Sequence, residues 1–355
     1  MPIEEPSWWY AEGEPPLAAR MLAPAAAVYG SLSSRRMLSP PAFRSRLPVV
    51  CVGNFTSGGT GKTPLAIRIA AEVRKLGARP GFLSRGHGGR IKGPHRVTPA
   101  DTAADVGDEP LLLARHAPVV ISADRPAGAR AIEAATGDAA ADVIIMDDGL
   151  QNPYLAKSLV IALVDGRRGF GNGRVIPAGP LRAPLMLQLG LADAIVVTAP
   201  LGTFDDKSAV ADHLRRDFKG PVLTAETRPA GAHDWLSERP LVAYCGIGAP
   251  DRFFTLLEAL GARLAGRQTF ADHHAYTATE AQRLLDLSSA RDAGLVTTEK
   301  DLARLTGLGG NQAALAAASR ALAIETAFGP RDEERLIGLL RGALMSKADQ
   351  PGRLS

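Results

Sequence analysis

The stretch Thr56-Ser57-Gly58-Gly59-Thr60-Gly61-Lys62-Thr63 carries the residue types that hold a nucleotide by its phosphates. Glycines let main-chain N–H groups wrap closely around a polyphosphate, the lysine reaches the β- and γ-phosphates, and the adjoining hydroxyl is a ligand for Mg²⁺. The loop departs from the usual pattern at its first position, which is Thr56 instead of glycine. Its surroundings compensate. The apolar run Leu47 to Val52 precedes it and the helical sequence Pro64-Leu65-Ala66-Ile67-Arg68-Ile69-Ala70 follows, so the positive end of a helix opens onto the loop. A glycine-rich turn of purely structural purpose gives no reason for Lys62 and Thr63 to follow Gly61.

A carboxylate-bearing strand end is the expected partner of such a loop. Ala141 to Met146 is an apolar run that ends in Asp147-Asp148-Gly149, and in an open α/β sheet the carboxyl ends of the strands face the ligand crevice. Carboxylates there hold the Mg²⁺ that bridges the phosphates, directly or through water; the plain alternative is a turn, for which Asp-Gly is common. Asp108, within Gly107-Asp108-Glu109-Pro110, is either a helix N-cap or a general base that accepts the proton of an attacking hydroxyl.

His273 and His274 lie in Phe270-Ala271-Asp272-His273-His274-Ala275-Tyr276. Neighbours in a strand face opposite ways, so the two are not expected to share a metal. One histidine orienting a catalytic carboxylate suits the spacing better. Arg85, Arg125 and Arg182 each stand beside small or turn-forming residues, where a guanidinium can clamp a phosphate, although a solvated loop arginine is the default. Thr298-Glu299-Lys300-Asp301 is another polar end to an apolar run, placed to line a cleft or to cap a helix.

These residues need a scaffold, and the alternation of short apolar runs with helical patterns supplies one. Runs at 48–52, 79–83, 117–122, 142–146, 159–164 and 194–198 predict a P-loop NTPase-like parallel sheet flanked by helices, an α/β architecture. A polar, proline-containing stretch around 228–240 then precedes fresh runs at 241–244 and 294–296, which predict a second, smaller α/β unit. The expected organisation is an N-terminal segment 1–46, a nucleotide-binding domain 47–235, a smaller domain 236–345 and a frayed tail 346–355.

The first 46 residues differ in character. After Trp8-Trp9-Tyr10, positions 15–46 hold Arg20, Arg35, Arg36, Arg44 and Arg46 with no acid, and Leu17, Met21, Ala25, Val28 and Leu32 share one helical face. Such a basic amphipathic helix either lies in a membrane interface, with its arginines on anionic headgroups, or packs on its own domain. Pro24 kinks or divides it in both cases.

Composition narrows the class. With 355 residues, 46% of them hydrophobic, the chain buries a substantial core and is not disordered. The net charge of +4 suits anionic lipid, phosphorylated substrate or nucleic acid alike, but no arginine block with interleaved aromatics favours nucleic acid. Cys51 and Cys245 sit far apart in apolar runs, as buried thiols in a reducing cytosol. No apolar run is long enough to span a bilayer, and the acidic Glu4-Glu5 is wrong for a signal peptide.

Taken in order, these segments resemble the tetraacyldisaccharide 4'-kinase family, the lipid A 4'-kinases of Gram-negative bacteria. The resemblance runs from Val52-Gly53-Asn54 and the phosphate loop through Ser84-Arg85-Gly86, Gly107 to Pro110, Asp147-Asp148-Gly149-Leu150-Gln151, Pro177 to Arg182, Gly246-Ile247-Gly248 and Phe270 to His273, to Thr298 to Asp301. It implies transfer of the γ-phosphate of ATP to the 4'-hydroxyl of a tetraacyldisaccharide 1-phosphate, giving lipid IVA, by a peripheral protein at the cytoplasmic face of the inner membrane. No obligate protein partner is implied.

The resemblance assigns Lys62 and Thr63 to phosphate and Mg²⁺, Asp147 and Asp148 to metal and nucleotide, and Asp108 to the base, assisted by His273. Leu150, Asn152 and Ala183 depart from the family's usual residues in the substrate pocket. Two rivals have different chemistry. A partitioning or metallochaperone-type ATPase or GTPase often carries a signature lysine where this chain has Ser57, and a membrane adaptor would bind nucleotide without transferring phosphate.

Overall fold

The computed structural model describes residues 5–11, 13–14, 16–199, 201 and 209–345; the expected tail 346–355 lies outside them. Among the described residues, strands build two sheets. The larger takes β1 (Val49–Asn54), β2 (Pro80–Ser84), β3 (His95–Arg96), β4 (Val119–Ile121), β5 (Val143–Asp147), β6 (Leu159–Asp165), β7 (Ala194–Ala199) and β8 (Val222–Pro229). The smaller takes β9 (Leu241–Cys245), β10 (Leu264–Thr269), β11 (Gly294–Thr298) and β12 (Ser319–Leu322), after which β13 (Ile324–Phe328) returns to the larger.

The larger sheet has the order β13-β8-β7-β6-β1-β5-β2-β4-β3 and is parallel except at its two edge pairs, β13 with β8 and β3 with β4. Its central strands are buried along their whole length and mostly apolar because helices cover both faces. Val50 and Val52 point into one layer with Leu65, Ile69 and Val73 of the helix Lys62–Lys75, whereas Cys51 points into the other with Leu181 and Leu189. The smaller sheet, β10-β9-β11-β12, is parallel throughout. Both cysteines are free and buried, in β1 and β9 of different sheets.

The smaller unit ends earlier than expected. The run 236–345 divides, because β13 pairs antiparallel with β8 and the helix Pro330–Met345 inserts Leu336, Leu340 and Ala343 into the larger core. The chain therefore crosses between the sheets twice, once around 230–240 and again at Ala323. Strands β10 and β13 escaped the pattern of apolar runs since β10 is largely open to solvent at Arg267 and Gln268 and β13 is a polar-alternating edge.

At the N-terminus the helix expected to be kinked or divided at Pro24 is two helices, Leu17–Met21 and Ala23–Met37. The break at Leu22 puts Pro24 in the first turn of the second, where its missing N–H costs no hydrogen bond. Ala19, Ala26, Gly30 and Met37 form the buried face, while Leu17, Met21, Ala25, Val28 and Leu32 all face solvent. No helix among the described residues is long and apolar enough to cross a membrane.

Candidate active site

Strand β1 leads into the phosphate-loop sequence, and Gly61, at φ +91°, turns the chain into the helix that opens at Lys62. Only glycine takes that backbone without strain. Lys62 and Thr63 are buried at the helix start. Since β5 and β6 flank β1, their carboxyl ends carry Asp147 and Asp165 to the same edge of the sheet.

Arg182 ties this edge together. Its Nε donates to the Thr56 carbonyl at 3.0 Å and its Nη1 to both Asp148 oxygens at 2.8 and 3.0 Å, while Lys62 Nζ stands 3.8 Å from Asp148 Oδ1. Burial alone would raise the Asp148 carboxyl, but the Lys62 and Arg182 cations hold it well below the carboxylate range. Gln151, which donates to the Asn54 carbonyl at 2.7 Å, props the same loop.

Asp147 is the opposite case. It is buried, its Oδ1 has no hydrogen-bond partner, and burial, reinforced by the negative charges of Glu109 and Asp148, pushes its carboxyl up to about 7. A bound cation would give the orphaned oxygen a partner and offset the neighbouring negative charge. Among the described residues no cluster of three or more histidine, cysteine or acidic side chains stands ready to hold a metal.

Arg125, expected as a phosphate clamp, is placed differently. It is buried and spends its guanidinium on the carbonyls of Ser122 at 2.8 Å and Asp147 at 3.3 Å, bracing the two strand ends. Arg85 is exposed just after β2.

The second half of the site lies where the smaller unit meets the larger. Asp108 opens the helix Asp108–Ala114, buried; its Oδ1 accepts the Glu109 N–H at 2.9 Å and its Oδ2 faces His273 Nδ1 at 3.3 Å and Arg304 Nε at 2.8 Å. Burial would raise this carboxyl, yet the His273 hydrogen bond and the Arg304 and Lys300 cations hold it far below its usual range. Arg304 is also held within its own unit, its Nη1 donating to the Gly246 carbonyl at 2.6 Å and to Asp301 at 2.7 Å. Beside it Lys300 donates to Glu109 at 2.5 Å.

Arg304 went unrecognised in the sequence. The signal was available: it stands one helical turn beyond Asp301, on the same face of the helix Glu299–Leu305. Thr298 caps that helix, accepting the Asp301 N–H, so the polar strand end both caps and lines the cleft.

The histidines separate, although not by strand alternation. Residues 270–276 form no strand; His273 has φ +58°. His274 stacks on Phe270 at 4.9 Å and pairs with Glu280 at 3.0 Å, a packing role. Left-handed backbone outside glycine costs about 1–3 kcal/mol and persists where surroundings enforce it. Among the described residues it occurs at Asp148, His273 and Asp292, and two of those three line this site.

The hydrogen bond and charge of Asp108 raise the proton affinity of His273 against the opposing effect of burial. A group whose folded pKa is raised contributes stability that is full below its unfolded value, about 6.5, and fades as the pH rises through the folded value. The gap in urea midpoint between the native chain and His273→Gln is therefore expected to be widest below about pH 6.5 and to shrink above it. A gap independent of pH would rule out this pairing.

A family model described as LpxK: Tetraacyldisaccharide-1-P 4'-kinase matches residues 18–344. A tetraacyldisaccharide 4'-kinase of Methylobacterium radiotolerans is 48% identical over 343 residues, covering 96% of this chain and 99% of the relative. One from Rhodospirillum centenum is 44% identical over 356 residues, covering 99% of each. Among solved structures, LpxK from Aquifex aeolicus in complex with ATP superposes with a TM-score of 0.72 at 25% identity, over 92% of this chain and 100% of that one.

Proposed function

This chain belongs to the tetraacyldisaccharide 4'-kinase family, and from that premise we propose that it phosphorylates the 4'-hydroxyl of a tetraacyldisaccharide 1-phosphate with ATP at the cytoplasmic face of the inner membrane. The observation that carries the site reading is the meeting of two halves. Lys62, Thr63, Asp147 and Asp148 cluster at one sheet edge, and the Asp108–His273 pair, 3.3 Å apart, joins that domain to the smaller unit.

Residues 56–63 cradle the triphosphate, and Lys62 lies on its β- and γ-oxygens. Thr63 and Asp147, with Asp148 nearby, are the residues to hold Mg²⁺, which when bound neutralises charge on the phosphates. Arg85, exposed after β2, is placed to meet an anionic group of the lipid, and Arg182 serves by fixing Asp148. Asp108, held ionised by Arg304 and His273, is a proton acceptor at neutral pH. Asp108 takes the proton as the hydroxyl O–H bond breaks, the hydroxyl oxygen bonds to phosphorus and the γ-phosphoryl group leaves ADP. His273 supports Asp108 through the shared hydrogen bond.

Incubating the protein with γ-labelled ATP and the lipid disaccharide 1-phosphate should place label on the lipid. Phosphate release with no labelled lipid would favour the ATPase rival instead.

The outward face of Leu17, Met21, Val28 and Leu32, flanked by exposed Arg20, Arg35, Arg36, Arg44 and Arg46, supports docking on an anionic bilayer. Burying one such side chain is worth about 1.5–3 kcal/mol. Replacing all four by serine should therefore lower partition onto anionic vesicles by about tenfold or more. Co-sedimentation equal to the native chain would remove the membrane contact.

A further inference from the structure

The phosphate loop is not bare on its outer side. Residues before the amphipathic helices cross it, held by Trp9, which is buried, donates from its indole N–H to the Pro177 carbonyl at 3.2 Å and accepts the Asn172 N–H at 2.7 Å. Tyr10 lies under the Arg168 guanidinium at 4.7 Å. This anchoring carries the Glu5 carboxylate onto Gly58, so closely that a side chain at Gly58 would collide with it.

Glu5 is poorly served there. Its Oε2 accepts from Arg168 at 3.2 Å and Tyr10 at 3.4 Å, but its buried Oε1 has no hydrogen-bond partner. Burial raises its proton affinity, with Arg168 opposing and Asp272 adding to the rise. An anion is thus held, half-satisfied, against a loop whose sequence is built to take anions, and the space left between Tyr10, Arg168 and the loop is only about 10 Å³.

We propose that Glu5 is a tethered competitor for the phosphate site: the segment 5–10 holds its carboxylate against the loop, and the nucleotide's phosphates must displace it to bind. The inference rests on residues 56–63 being the ATP site. Like charges cannot share the loop, and the orphaned oxygen makes departure easy, since leaving returns it to water. Apparent affinity falls by the fraction of molecules whose loop is open, so the segment sets how much ATP the protein needs without touching the transfer step.

The test is equilibrium titration of the full chain, Glu5→Gln and Trp9→Ala with two probes, ATP with Mg²⁺ and inorganic tripolyphosphate. Both variants are expected to bind both probes about threefold or more tightly, with turnover at saturating ATP unchanged. Unchanged or weakened affinity would overturn the proposal, the second outcome making Glu5 a ligand of the nucleotide. Tightening for ATP but not for tripolyphosphate would overturn it too, because the contact would then be with the base or sugar. Lys62→Ala in the same titrations separates the premise. If it binds ATP normally, the loop is not the phosphate site and the competitor role falls with it; if it loses ATP, the Glu5 result stands by itself.

Discussion

Asp108→Asn should lower turnover by about 10²- to 10⁴-fold, the range expected when a general base is lost, while leaving the affinity for ATP near native. The substitution keeps the shape of the side chain and removes its charge. Because Asp108 lies outside the phosphate loop, the loss belongs in kcat and not in nucleotide binding. A structural cost accompanies it. Arg304 and Asp108 are both almost fully buried, and removing one partner of a buried ion pair leaves the other exposed to a large desolvation penalty. Asp301 still pairs with Arg304 at 2.7 Å, so the fold has a second anchor. Measuring the urea midpoint and the ATP affinity beside turnover distinguishes the two effects: a folded variant that binds ATP but turns over near the native rate would end the base assignment.

Lys62→Ala should lower turnover by about 10²- to 10³-fold, as when one preorganised donor to a developing oxyanion is removed, and should weaken ATP binding as well. Lys62 is buried at the opening of the helix Lys62–Lys75, where its charge faces Asp148 and feels Glu109. Without it, two carboxylates near the phosphates lose a cation, and the site turns from a receptor of anions toward a repeller. Arginine is not expected to restore it, for its planar fork does not replace a compact ammonium in a confined loop. Normal activity in Lys62→Ala would overturn the phosphate-loop reading.

The remaining differences between expectation and structure have physical causes in particular residues. Arg125 reads as a surface clamp because an arginine in a turn is normally solvated; only the β5-β2-β4 strand order, which brings the ends of β4 and β5 within its reach, encloses it. The histidine that faces Asp108 is His273 because the chain turns left-handed there and sends His274 onto Phe270, a choice of rotamer and backbone that no local spacing dictates. The spacing of Arg304 from Asp301 marks a local pair, but its bond to Asp108, 196 residues away, leaves no such mark.

The sequence by itself determined the local build of one edge of the sheet: the glycine-rich loop 56–63, its strand and helix, and the carboxylates of Asp147 and Asp148 at a strand end are local patterns, set by hydrogen-bonding needs within a few residues of each other. It also determined that the N-terminal segment is basic and amphipathic. Tertiary structure alone decided which way that face points, that 324–345 rejoin the larger sheet, and that the buried Asp108–Arg304 pair and the more exposed His273 form one network across two units. These are long-range contacts, fixed by which surfaces bury together and which charges must then be neutralised, and such pairings leave no periodic mark in the chain.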